Sequence, residues 1–187
     1  MGTTEFMMLL ALEPEKANEL LEKITRFICE WVQYQKECFP SIEGILLLDD
    51  IVGFVGEEEC REFVVPYLRR AFHAIPSKIR FFHNDAFGLV CAPFLHEIGV
   101  NLFNFAFDHT INQIRDLVGP DVALIGNLAP RDILAAGTPN EVYASTQLMM
   151  KEVTERKRII WSCGGGMPQN VSTENINAFI SAVKGFS

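Results

Sequence analysis

Polar side chains able to move protons, bind ligands or attack carbon recur in this 187-residue chain at one kind of place, the point where an apolar run stops. Asp49-Asp50 follows the run 44–48, His83-Asn84-Asp85 follows 78–82, and Asp108-His109 follows 100–107. Asn127 and Cys163 stand in the same relation to the runs 122–125 and 159–162. Carboxylates and imidazoles at such positions are candidates for general acid–base work. Cys163 then leads into Gly164-Gly165-Gly166 and Met167-Pro168, and a helix opens on Ser172 or Thr173 with Glu174 in its first turn. Glycines permit positive φ and close approach of a ligand to the main chain, while free N–H groups at a helix start favour an anion. Gly164, Gly165 and Gly166 are therefore candidates for binding a phosphate or carboxylate, or else are simply the turn that the backbone requires. Asp108 is either a catalytic base or the N-cap of the helix that follows it. His73 and His96 fall inside helix patterns and read as packing or surface residues.

The elements that must position these groups alternate along the chain. A short helix is expected over 4–12, and Pro14 opens a long one to Cys38 with Ala17, Leu21, Ile24, Ile28 and Val32 at helical spacing. A helix over 57–75, bent at Pro66, follows the first strand. Further helices are expected over 94–98, 110–118 and 174–184, and Thr138-Pro-Asn-Glu141 is a capping box that starts a helix lasting to about Lys157. Five continuous apolar strands separated by helices imply a parallel sheet with right-handed crossovers. The carboxyl ends of such strands are where α/β folds bind ligands. No linker or repeat divides the chain, so residues 1–187 read as one domain.

Composition narrows the partners. Half of the residues (49%) are hydrophobic, enough for a substantial core, and the net charge of −8 comes without a basic stripe, which argues against nucleic acid and anionic membrane. The longest apolar run, 45–55, is cut by Asp49 and Asp50 and is too short to span a bilayer. Met1-Gly-Thr-Thr-Glu-Phe lacks the basic region of a signal peptide, so a cytoplasmic protein is expected. The five cysteines have no metal-type pair spacing and an odd count, and four of them read as buried small hydrophobes.

Several segments taken together resemble the uroporphyrinogen decarboxylase superfamily. They are 53–68 with Glu62-Phe-Val-Val-Pro-Tyr-Leu68, His83-Asn-Asp85, Glu97-Ile-Gly-Val-Asn-Leu-Phe-Asn-Phe105, Leu124-Ile-Gly-Asn-Leu-Ala-Pro130, and Gly165-Gly-Met-Pro168 with Glu174-Asn-Ile-Asn-Ala-Phe179. That superfamily includes the decarboxylases of haem synthesis and methylcobalamin-dependent methyltransferases, among them those that methylate coenzyme M. The resemblance implies a (β/α)₈ barrel of which this chain carries the strands equivalent to four to eight. The segment Met1-Gly-Thr-Thr-Glu-Phe6 resembles an internal stretch after strand three.

The resemblance also assigns roles. Asp49 aligns with the aspartate after strand four of the decarboxylases, one of Asp49 and Asp50 lining the barrel mouth while the other caps a helix or meets solvent. Asn127 belongs to an Asn-Leu-Asp-Pro motif that here reads Asn127-Leu-Ala129-Pro, and the decarboxylases' last-strand histidine aligns on Gly165. Both departures point away from porphyrinogen decarboxylation. The methyltransferases hold zinc through a His-x-Cys motif and a Gly-Cys-Gly turn, zinc presenting a bound thiol as thiolate. Here His83 matches, Asp85 replaces the first cysteine, Gly165 replaces the second, and Cys163 lies two residues earlier. A zinc site of His83, Asp85 and Cys163 stays open, because all three ligand types bind zinc, and weak or absent binding is expected because Asp85 and Gly165 replace two thiolates. Two readings follow. One is a methyltransferase-like or decarboxylase-like enzyme, closer to the former with methylcobalamin on a partner corrinoid protein, whose site is completed by another subunit or a second copy. The other is a non-catalytic binding module. A partial barrel exposes edges and apolar interior, so self-association or a complementing subunit is expected in both.

Overall fold

The structure is a computed structural model and describes residues 1–186. Two helices come first. α1 (Thr3–Leu12) closes when the Glu13 N–H bonds the Leu9 carbonyl, and Pro14 starts α2 (Pro14–Cys38), where a missing N–H costs nothing. Ala17 and Thr25 are buried on the inner face of α2, while Ile24, Phe27, Trp31 and Tyr34 form an exposed stripe at three- and four-residue spacing.

Five strands follow in sequence order, β1 (Gly44–Leu48), β2 (Ile79–Asn84), β3 (Leu102–Phe105), β4 (Ala123–Leu128) and β5 (Ile159–Cys163), and every neighbouring pair is parallel. The crossovers carry α3 (Glu57–Phe63) and α4 (Val65–Phe72), α5 (Leu95–Ile98), α6 (Ile111–Val118) and α7 (Pro139–Glu152), and α8 (Thr173–Lys184) ends the chain. The expected helix over 57–75 is two helices. Pro66 has no N–H to bond the Glu62 carbonyl and its ring crowds that carbonyl, so the chain breaks at Val64 (φ −114°, ψ −59°). Four boundaries also move. β2 runs on through His83 and Asn84 because both find partners on β3, β3 is shorter than the apolar run 100–107, β4 runs on to Leu128 beside β5, and α7 stops at Glu152 rather than near Lys157. A π-helical turn over Pro130–Ala135 occupies a stretch with no sequence period. The capping box forms as expected, with Glu141 accepting the Thr138 N–H at 2.7 Å and Thr138 accepting the Glu141 N–H.

Alternation within the strands sorts the core. Leu47, Phe82, Phe103, Leu124 and Ile159 stand in register across the sheet on its helix side. Phe82 and Phe103 stack with centroids 6.0 Å apart, and Phe72 of α4 meets Phe82 edge-on at 6.2 Å, both favoured aromatic geometries. The opposite, concave face is different: Leu46, Leu48, Ile79 and Ile160 are each about half exposed or more. β1 and β5 are both edge strands. At the amino-terminal ends of the strands the guanidinium of α6's Arg115 donates to the carbonyls of Gly119 and Val122 and to those of Lys157 and Arg158, tying the starts of β4 and β5 together.

Truncating the centre of the aromatic layer tests this account. Phe82→Ala should lower stability by about 3–5 kcal/mol and Thr138→Ala by about 1 kcal/mol, read from the midpoints of urea unfolding curves.

Candidate functional site

The register places His83 between Leu48 of β1 and Asn104 of β3, on the concave side at the carboxyl edge. Asn104 is buried, and its Nδ2 donates to the Ile125 carbonyl of β4 at 2.8 Å. That bond turns Oδ1 toward His83, whose Nδ1 lies 2.7 Å away and must be the donor. The Nε2 of His83 consequently faces outward, 3.3 Å from the Asp85 Oδ2. Asp85 is steadied in turn by its backbone N–H, which donates to the Asp50 carboxylate at 2.6 Å. The result is a hydrogen-bonded relay across four strands or their ends, Asp50 to Asp85, His83, Asn104 and the β4 backbone. Within it the His83 imidazole and the Asp85 carboxylate are the groups that can exchange a proton with a bound X–H group.

Asp85 opens onto a cleft of about 420 Å³ that is also lined by Asp108, Arg131, Asp132, Gly164 and Gly166. The three glycines answer to three different constraints. A Cβ on Gly164 would lie 2.8–3.0 Å from Phe107 backbone and side-chain atoms, Gly165 has φ +73°, and Gly166 has open space around it on the cleft. Asp108 is exposed and borders both this cleft and a second groove of about 340 Å³. It does not cap α6, because Thr110 does so with Gln113 in a second capping box. Asn127 lines the second groove, away from Asp85, and its Nδ2 donates to the His109 carbonyl. His109 in turn bonds the Phe87 carbonyl at 2.7 Å, so these two side chains fasten loops.

Asp49 is not part of the relay, against the expectation that placed it in a catalytic role. Its Oδ1 accepts the Ile51 N–H at 2.9 Å at the head of a 3-10 turn, and it borders an apolar cavity of about 150 Å³ between β1 and helices α1, α2 and α4. Burial there pushes its carboxyl above the usual range. Asp50 is the one that turns to the mouth. Sequence reasoning passed over Asn104, although a polar residue inside an apolar strand is the signal that finds it. Arg131 and Asp132 were passed over as well, because they sit on the π-helical turn.

The zinc set of His83, Asp85 and Cys163 is not assembled. Among the described residues no three His, Cys, Asp or Glu side chains converge as metal ligands do. Asp85 is committed to His83, and the Cys163 Sγ is directed at the Gly165 carbonyl at 3.6 Å in an apolar cluster with Leu128, Leu134 and Val142. The residues present do not fit a thiolate-bound zinc. Three cysteines are buried, Cys60, Cys91 and Cys163, whereas Cys29 is half-buried and Cys38 exposed, one fewer buried than expected. Burial pushes the Cys60 thiol up to about 11 and that of Cys91 up to about 12.

A parallel sheet whose carboxyl edge carries the polar cluster, with helices on one side only, is a partial (β/α)₈ barrel. The family model for uroporphyrinogen decarboxylase (URO-D) matches residues 1–186, and the chain belongs to that family. It is 26% identical over 178 residues to a uroporphyrinogen decarboxylase of Chlorobium luteolum, covering 92% of this chain and 50% of that protein. It is 28% identical over 176 residues to a methylated-thiol–coenzyme M methyltransferase of Methanosarcina mazei, covering 92% of this chain and 45% of the other. A solved methyltransferase from Methanosarcina mazei superposes with a TM-score of 0.82 at 14% identity, over 98% of this chain and 53% of that one. The chain thus spans about half the length of these relatives. Among the described residues no helix is long and apolar enough to cross a membrane.

Two measurements follow from the buried groups. A carboxyl whose folded pKa is raised favours folding while protonated, and that contribution is lost as pH rises through the folded value. Asp49→Asn keeps the oxygen that accepts the Ile51 N–H and cannot ionise. It should therefore be more stable than wild type at pH 7, and the difference should vanish as pH falls below about 4 in urea melts. With a thiol reagent at pH 8, Cys38 should label first, while Cys60 and Cys91 label only after unfolding.

Proposed function

We propose that this chain is the carboxyl-terminal half of a barrel of the corrinoid-dependent methyltransferase branch. In this reading it transfers a methyl group from methylcobalamin on a partner corrinoid protein to a thiol, once a complementing subunit or a second copy covers its open face. The observation that carries the reading is the outward-facing Nε2 of His83, fixed by Asn104, at the rim of an exposed apolar concave face. A thiol at that rim gives its proton to Nε2, with Asp85 beside it to stabilise the imidazolium. The thiolate would then be the nucleophile for the methyl group, with methylcobalamin on the partner protein as the donor and leaving group. Glycine at 165 and alanine at 129, where the decarboxylases have histidine and aspartate, speak against porphyrinogen decarboxylation, although Gly165 also lacks the cysteine of the methyltransferases. The exposed stripe of Ile24, Phe27, Trp31 and Tyr34 on α2 favours a second reading, a module that binds a partner without chemistry of its own.

Light scattering and a methyl-transfer assay separate these. The mass in solution should exceed the 21.1 kDa of one chain and rise with concentration. With free methylcobalamin and a small thiol such as 2-mercaptoethanol, the assembled protein should speed loss of the methylcobalamin absorbance over thiol alone, and His83→Gln should remove at least about 90% of that gain. An assembled protein that leaves the rate unchanged supports the module, and a monodisperse single chain that speeds the reaction would show that no covering partner is needed.

A further inference from the structure

Helix α2 carries more apolar surface than the body of the chain uses. Ala17 and Thr25 are buried and Leu21 and Val32 pack against the core, which accounts for one face. A second row, Leu20, Ile24, Phe27, Trp31, Tyr34 and Cys38, advances by alternating steps of four and three residues. That spacing keeps a seam turned toward a partner helix, while charged residues beside the seam set the orientation of the pair. The row is about 27 Å long at 1.5 Å per residue. Ile24, Phe27, Trp31 and Tyr34 are each 44–66% exposed, and Trp31 and Tyr34 already stack with centroids 5.9 Å apart.

The charges beside the row decide what covers it. Lys23, Glu30 and Glu37 recur every seven residues along one flank. Arg26 lies 3.9 Å from Glu30 and offsets its charge within the chain. Among the described residues Lys23 and Glu37 take part in no ion pair. We infer that a second copy of this chain docks on α2 through this row, the two helices antiparallel about a two-fold axis near residue 29. In that arrangement Lys23 of each chain meets Glu37 of the other, Phe27 packs on Trp31, Ile24 on Tyr34 and Leu20 on Cys38. A parallel copy would set each member of the row against itself and leave Lys23 about 21 Å along the axis from Glu37. A pair of helices meeting over this length is a modest interface, so the association is a reversible monomer–dimer equilibrium. It uses the outside of α2, not the concave face of the sheet, and does not rest on the methyl-transfer reading.

Sedimentation equilibrium on the full chain tests the pairing without reference to activity. Trp31→Glu, at a site already half exposed in the single chain, should weaken association at least about 30-fold. Lys23→Glu and Glu37→Lys should each weaken it about 3- to 10-fold, because each breaks both symmetry-related pairs and sets like charges together. The two changes combined should restore it. A wild-type chain that stays single, unchanged association in Trp31→Glu, or no recovery in the combined variant would overturn the inference. Orientation is read by cross-linking. Leu20→Cys with the native Cys38 should form a disulfide between residues 20 and 38 under diamide, identified by peptide mass. The two positions are about 27 Å apart on one helix, so that link can only join two chains. A link from 38 to 38 in its place, or no link through residue 20, would show that the copies do not meet in this way.

Discussion

A parallel sheet has to bury both of its faces, and the helices of this chain bury only one. The row Leu47, Phe82, Phe103 and Leu124 fixes that buried side, because the four stand in register, Phe82 and Phe103 stack, and Phe72 meets Phe82 edge-on. Once that row points to the helices, alternation sends His83 and Asn104 to the other side, at the carboxyl edge of the strands. The polar relay therefore depends on apolar packing one residue away. A slip of one residue in β2 would bury His83 and expose Phe82.

The relay also does structural work between strands. Asn104 bridges β2 and β4 through one amide, its Oδ1 on His83 and its Nδ2 on the Ile125 carbonyl, which satisfies a polar side chain that would otherwise be costly to bury. The exposed Asp50 joins the ends of β1 and β2 through a single bond, accepting the Asp85 N–H. The candidate chemistry and the cohesion of this edge thus rest on the same few groups, in contrast to the loops that His109 and Asn127 secure.

Much of this was legible in the sequence. Continuous apolar runs such as Gly44 to Leu48, each ending in a polar pair, specify a parallel sheet and its ligand edge, and the Thr138 to Glu141 box specifies a helix start to the residue. The direction of individual side chains was less legible. Asp49 and Asp50 are neighbours of the same type, and only the 3-10 turn that Asp49 heads decides which one turns to the mouth. Asp108 precedes a helix, as a cap does, but Thr110 lies closer to the first turn and has the glutamine partner that completes the box. The misplacement of Cys163 as a ligand has a related cause: its neighbours Leu134 and Val142 come from a π-helical turn and a helix whose packing no local pattern announces.

Arg115 lies at the opposite end of the strands from this chemistry. Its guanidinium gathers carbonyls from the end of α6, from the start of β4 and from the lead into β5, and burial lowers its affinity for its proton without bringing it near release. The sheet is therefore riveted at its floor by a cation bonded to main-chain atoms, whatever side chains those residues carry. The rim, by contrast, is held by side chains such as Asp50, His83 and Asn104, so a substitution there changes both what the edge offers a ligand and what joins the strands, while the floor keeps the strands in step.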